Sequence, residues 1–593
     1  MKYSTEFISA AKEYCEFLHF VPAPYLRKTF ELDFVPEKAE MLVTGLGFYE
    51  FWLNGEHLTK GCLAPYISNP NDLIYYDRYF LTGKLRKGKN VIAFALGNGL
   101  QNPIGGEVWD FQLARWRSAP KLALCFECSG EGKEISFEAD ESFKVHASPI
   151  YFDDMRCGER YDARNEIDGW NLPDFDDSEW NNAISVEAPS GECLEGGHAL
   201  IKKIREIKPV KFYKGHISAI AHPRENLPEH ILPEEEYCND GYIYDFGENI
   251  TGIVRLKIRG RKGQKIVMSC GESLFDGGLD MHNICEFQPI GMTQVQVYIC
   301  KGEGEEIWEP MFCYHGFQYC FVTGIDDKQA TEDLLTYVVM HADVPQIGGF
   351  DCSDELVNRL QDATLRSDLA NMFYFPTDCP HREKNGWTGD AHLSAEQFMM
   401  NLGAENTLCE WLHSVRKSQD ERGALPGGAL NGATVLRGML FLPSCRTEYG
   451  STEATRGFLM KTPQLFSAMF RTCRQGLTKK ALFISVSATG CLSATLSPAL
   501  LRLQIHLFQW IFAKRQRKYS ESVICRFVPN LLRSFMTNYV QASESISLTI
   551  VLLFTATIRQ LRRRPFTTAH LTKMKKKRRL LICSSLFIMQ TTT

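Results

Sequence analysis

The run PTDCPHREKNGWTGDAH, residues 376–392, sets Asp378, Glu383 and Asp390 close together, with His381, Arg382 and Trp387 among them. One carboxylic acid can protonate the oxygen of a breaking glycosidic bond while a second carboxylate activates water. An indole offers a flat apolar face on which a sugar ring can rest. Pro376 and Pro380 fix backbone φ, and Gly386 and Gly389 permit tight bends, so the run reads as a rigid loop. A solvated surface loop has the same composition, and composition alone leaves both readings open.

The elements that must hold this loop change type along the chain. MLVTGLGFYEFWLNGEHL (41–58) is rich in strand formers and runs into Asn54-Gly55, a hairpin signal. NVIAFALGNG (90–99) reads as a strand ending in Gly-Asn-Gly. In IVRLKIRGRKGQKIVMSCG (253–271), Leu256 and Ile258 alternate with Arg255, Lys257 and Arg259, which predicts a half-exposed strand. WEPMFCYHGFQYCFVTGI (308–325) reads as an aromatic strand pair, and DGWNLPDFDDSEW (168–180) as a turn-rich loop. Near residue 350 the pattern turns helical. Ser353 is placed to cap a helix through Leu369, Asp390 to cap a second through Met400, and Leu408, Trp411, Leu412 and Val415 mark a third. Strands first and helices after imply separate domains or an α+β arrangement. The acidic run then joins the first two helices, a common position for a site.

The chain of 593 residues allows roughly three to five domains. Its 44% hydrophobic and 23% charged residues are ordinary for a globular protein. The first residues, MKYSTEFISAAKEYCEF, lack the apolar core of a signal peptide. Twenty cysteines without an export signal predict free thiols and a cytoplasmic location. Cys125 and Cys128 form a CxxC, but no second pair completes a zinc set, so no metal or other cofactor is expected.

The acidic run, D-C-P-H-R-E-K-N-G-W-T-G-D from Asp378 to Asp390, resembles the signature of bacterial α-L-rhamnosidases, the inverting glycoside hydrolase family 78. GLGFYEFWLNG (45–55), LAPYISNPNDLIYYDRY (63–79), GERYDARNEIDGWNLPDFDDSEW (158–180), YDFGENITGIVRLKIRG (244–260), CGESLFDGGLD (270–280) and YHGFQYCFVTG (314–324) resemble the family in the same order. The resemblance implies a multidomain chain: a β-sandwich over 1–125, a second, carbohydrate-binding-like β-domain over 126–205, a concanavalin-like sandwich over 206–335 and the first part of an (α/α)6 barrel over 345–475. It implies Glu383 as general acid, with Asp378, Asp390, Arg382 and Trp387 shaping the rhamnose pocket. His381 departs from the commoner Gln. Neighbouring carboxylates with little solvent are expected to raise the pKa of the general acid. Glu159 and Asp162 lie in a stretch resembling a module that uses calcium in some relatives; a structural turn is the competing reading, and no metal is assigned. The substrate implied is a rhamnose-containing glycoside. The alternative is a carbohydrate-binding protein without catalysis. The oligomeric state is left open.

The resemblance fades beyond about Arg474. The family's general base, a Glu further downstream, has no recognisable context here. After Arg474 there are nineteen Lys and Arg against two acids, Glu521 and Glu544. A basic arm for nucleic acid is one explanation, and KMKKKRR (573–579) fits it. A shifted reading frame explains more. ALFISVSATG (481–490), with suitable codons read one base earlier, becomes G-L-F-Y-I-G-L-G-D-W, which contains the family's G-L-G-D-W. Leu503–Lys518 yields an amphipathic string at the same offset. Residues 476–593 are therefore expected to be an aberrant, irregular tail rather than a nucleic-acid arm. ISLTIVLLFTATI (546–558) falls short of the ~20 residues a bilayer needs.

Overall fold

The computed structural model describes residues 6–16, 19–105, 111–219, 240–285 and 293–419. The expectations for the general base, the frame shift and the tail lie outside them.

Five strands form the centre of the first β-sandwich: β1 (Pro24–Leu32), β2 (Lys38–Leu46), β3 (Phe48–Leu53), β4 (Gly88–Gly97) and β5 (Lys121–Gly130). One sheet sets β2 between β5 and Leu73–Phe80; the facing sheet sets β4 between β1 and β3. Leu26, Met41, Val43, Phe51, Ile92, Phe94, Leu124 and Phe126 fill the space between them. The expected hairpin is present. Asn54 and Gly55 both take positive φ, +52° and +88°, and Leu53 pairs with Glu56. Two left-handed residues match the twist of the flanking strands.

A ten-stranded sheet follows. It contains β6 (Ile150–Asp154), β7 (Gly158–Asp162), β8 (Gly241–Ile258), β9 (Lys265–Gly271), β10 (Val295–Ile299), β11 (His315–Thr323) and β12 (Leu335–Ala342). The 253–271 pattern folds as read, with Leu256 and Ile258 buried and Lys257 exposed. The 308–325 stretch does not form a pair with itself. Glu306–Trp308 and β11 both pair with β8, whose eighteen residues give each a separate length of edge, Leu256–Ile258 for the first and Tyr242–Gly252 for the second.

The independent β-domain expected over 126–205 is divided between its neighbours. The boundary at 125/126 falls inside β5, and Lys133–Glu138, Lys144–Ala147 and Ile184–Val186 join the first sandwich. β6, β7 and Ile201–Ile207 join the ten-stranded sheet. Short strands in this stretch have no sheet of their own, so their backbone groups are satisfied on both neighbours.

Three helices close the described chain: α1 (Glu355–Ala370), α2 (Thr388–Asn401) and α3 (Glu405–Lys417). The caps differ from expectation. Asp354, not Ser353, caps α1, because its extended backbone lets Oδ1 accept from Leu356 N at 3.0 Å. Asp390 lies in the first turn of α2 rather than at its cap, where Trp387 stands. On α1, Leu356 and Leu360 are exposed, whereas Leu365 and Leu369 pack on the core. One apolar core joins Tyr25, Phe48, Ile253, Phe312, Val338, Phe373, Phe375, Trp411 and Val415. It fixes the helices against the β-domains and carries the acidic loop between them.

Candidate active site

The loop is anchored by the aromatic run before it. Met372, Phe373, Tyr374 and Phe375 are all buried. Phe373 stacks on Tyr314 at 3.7 Å between centroids, and the Tyr374 hydroxyl donates to the Leu63 carbonyl at 2.7 Å. Gly386 lies against this anchor: a Cβ there would stand 2.7 Å from the Phe375 ring. The loop then closes on itself. Asp378 N donates to Asn385 O at 3.1 Å, Lys384 N to Cys379 O at 3.2 Å, and Asn385 N to Asp378 Oδ1 at 3.0 Å.

This closure gathers the acids. Trp387 Nε1 donates to Glu383 Oε2 at 2.8 Å. The Cys379 thiol donates to Asp378 Oδ2 at 3.2 Å and accepts from Glu383 N at 3.3 Å. Donor atoms of Asp378, Cys379 and Glu383 all lie within 4.8 Å of one another. Burial pushes the Asp378 carboxyl up to about 8, helped by the charges of Glu383 and Asp390, while the Cys379 thiol and Asn385 amide pull the other way. Burial also pushes the Cys379 thiol well up, so it keeps its proton and serves as a donor to Asp378. All five residues named from the sequence therefore lie in or beside one half-buried loop, and Asp378 is the carboxyl that its surroundings hold protonated near neutral pH.

Two neighbours come from elsewhere in the chain. Glu272, on the strand end after β9, has its carboxyl raised by burial, opposed by Asn249 and by the Arg382 charge. His381 Nδ1 lies 3.5 Å from Glu272 Oε2, but burial, Arg382 and Lys384 lower this imidazole to about 3. The ring is neutral at ordinary pH and the pair is not ionic. No spacing in the sequence links Glu272 to the loop; only its presence in CGESLFDGGLD singled out the segment.

Glu159 and Asp162 have structural work. Buried Glu159 accepts from Met311 N and Phe312 N at 2.8 and 3.0 Å, and its carboxyl is pushed up to about 8 by burial. Asp162 accepts from Arg164 N, Nε and Nη2. Cys125 and Cys128 sit three residues apart on β5, so they face opposite sides of the sheet and cannot share an ion.

Three family models match in chain order: the α-L-rhamnosidase N-terminal domain at 35–204, the bacterial α-L-rhamnosidase concanavalin-like domain at 236–341 and the bacterial α-L-rhamnosidase six-hairpin glycosidase domain at 345–435. The chain belongs to the bacterial α-L-rhamnosidase family. An α-L-rhamnosidase of Formosa agariphila is 31% identical over 411 residues, covering 66% of this chain and 39% of the relative. One from Streptomyces avermitilis is 29% identical, covering 68% and 36%. The chain thus spans about two fifths of the length of these curated relatives. Among solved structures, the α-L-rhamnosidase from Dictyoglumus thermophilum matches with a TM-score of 0.69 at 28% identity, covering 79% of this chain and 51% of its own. The Streptomyces avermitilis α-L-rhamnosidase complexed with L-rhamnose matches in fold, with a TM-score of 0.70 at 24% identity, covering 88% and 49%. Among the described residues no helix is long and apolar enough to cross a membrane.

Proposed function

We propose that this rhamnosidase-family chain carries the acid half of a site that hydrolyses terminal α-L-rhamnosides with inversion. Glu383 is the general acid, oriented by the Trp387 indole N–H at 2.8 Å, which is the observation that carries the reading. Asp378, Asp390 and Arg382 line the sugar pocket. Asp378, protonated at neutral pH, can donate to a sugar hydroxyl as an ionised carboxylate cannot. Helices α1–α3 begin an (α/α)6 barrel, and a base on its later half activates water from the far side. In inverting glycosidases acid and base stand roughly 6.5–9.5 Å apart, leaving room for that water. The 593-residue chain itself, with its frame shifted near Arg474, is expected to turn over weakly or not at all. A binding protein without catalysis is the less favoured reading, since the matched relatives are named as glycosidases.

The test is hydrolysis of an aryl α-L-rhamnoside by the product read in the restored frame, with the anomeric proton of released sugar followed by NMR. β-L-Rhamnose as the first product supports the reading. α-L-Rhamnose first, or no release, overturns it.

A further inference from the structure

Two buried basic side chains, Arg156 and Lys384, fasten the acidic loop to the ten-stranded sheet, burial lowering the Lys384 amine to about 7. Arg156, just after β6, is 2% exposed. Its Nε donates to the Glu383 carbonyl at 2.8 Å and its Nη2 to Asn385 Oδ1 at 2.9 Å. The guanidinium lies over the Phe111 ring at 4.8 Å, and Asp154 Oδ1 accepts from Arg156 N at 2.8 Å, so the arginine is itself held. Lys384, the residue after Glu383, is 1% exposed and reaches into the β-domains. Its Nζ donates to the Met155 carbonyl at 2.6 Å and to the Tyr314 carbonyl, and sits 4.4 Å from the Tyr314 ring centroid. Lys384 has φ +53°, a backbone region that non-glycine residues rarely adopt. Held so, adjacent residues serve different partners: Glu383 accepts from Trp387, while Lys384 grips the sheet. Pro380 adds a third contact, since a Cβ on Gly316 would meet its ring at 2.6 Å. Arg156 and Met155 lie within the N-terminal domain match, Tyr314 within the concanavalin-like match and Glu383 within the six-hairpin match.

We propose that Arg156 and Lys384 are positioning residues that clamp the Glu383 loop, so that the acid's place in the pocket is set by the ten-stranded sheet and not by the helical domain alone. Neither side chain touches sugar; Arg156 acts through the Glu383 carbonyl and the Asn385 side chain, and Lys384 through its own place beside Glu383. The proposal rests on the reading of Glu383 as the acid. A misplacement of about 1 Å at a reacting group can cost on the order of a hundredfold in rate, which is what a clamp of this kind prevents.

The full chain and its Arg156→Met, Arg156→Lys and Lys384→Met variants are compared by amide hydrogen exchange, read peptide by peptide, and by calorimetric titration with L-rhamnose. Losing these buried hydrogen bonds is expected to speed exchange across 376–387 by about tenfold or more. Exchange in β2, β4 and β8 stays unchanged. Arg156→Lys keeps one charged donor and falls between wild type and Arg156→Met, and L-rhamnose affinity follows the same order. Unchanged exchange in 376–387 overturns the proposal. So does acceleration spread evenly over the chain, or an Arg156→Lys no better than Arg156→Met. If Arg156→Met does not fold, Arg156→Lys and Lys384→Met carry the comparison. A wild-type chain that ignores L-rhamnose, with loop exchange altered as stated, would leave the clamp standing and remove the sugar reading.

Discussion

Replacing Asp378 with Asn isolates the proton that the loop holds. The Asp378 carboxyl is pushed from 3.8 to about 8 by burial and by Glu383 and Asp390. A folded pKa above the unfolded one contributes stability that is fully present below the unfolded value and is lost as pH rises through the folded value. Between those limits the loss is about 1.4 kcal/mol per pH unit, so from pH 5 to 7.5 it reaches about 3 kcal/mol. Asn resembles the protonated acid in shape and has no charge to bury, and the Asn385 amide can still donate to its oxygen. Asp153, Glu159 and Asp368 are also raised by burial, but they are common to both proteins and cancel in the difference. At about 2.1 cal/mol/K of unfolding entropy per residue, a body of this size shifts by only about 1 °C per kcal/mol, so the melting temperature of Asp378→Asn relative to wild type should climb by roughly 3–4 °C between pH 5 and 7.5. The assay is a pair of thermal melts at each pH. A difference that stays flat over this range would mean that Asp378 is ionised throughout, and the burial argument would fall.

Gly386→Ala drives a Cβ to 2.7 Å from the Phe375 ring, which is itself 2% exposed and has nowhere to go. Overpacking of this kind costs about 1–3 kcal/mol, so melting should occur about 1–3 °C lower and L-rhamnose binding should weaken with it. Trp387→Phe keeps the flat ring but loses the donor to Glu383. L-Rhamnose affinity, measured by calorimetry, should fall about three- to tenfold with little change in melting temperature, since a single hydrogen bond contributes about 0.5–1.5 kcal/mol. Sequencing the gene across codons 420–480 should reveal an inserted or missing base; an intact frame there would remove the frame-shift account of the basic tail.

The sandwich strands were legible because 41–58 and 90–99 are rich in strand formers, the 253–258 strand because Leu256 and Ile258 alternate with charged residues, and the Asn54-Gly55 turn because few residue pairs accept two positive φ values. Membership of sheets was not legible. β6 and β7 carry no mark that sends them to the ten-stranded sheet while Lys144–Ala147 joins the first sandwich; long-range pairing decides that. The cap of α1 shifted by one residue because Ser353 and Asp354 are both good caps by type, and only backbone geometry separates them. At the site, local spacing brought Asp378, Glu383, Trp387 and Asp390 together. Glu272 and Arg156 reach the loop through tertiary packing, and nothing in their own sequence neighbourhoods announces it. Lys384 was in plain view within the motif, but its burial follows from a left-handed backbone that the sequence does not declare.

Glu383→Gln in the restored-frame enzyme, assayed on two α-L-rhamnosides with leaving groups of very different basicity, tests the role of Glu383 most directly. A general acid matters most where the leaving oxygen must be protonated and is typically worth about 10²–10⁴-fold. The account predicts that kcat/KM falls by that order for an alkyl rhamnoside and far less for a dinitrophenyl rhamnoside. Equal losses on both substrates, or no loss on either, would contradict the assignment of Glu383 as the acid.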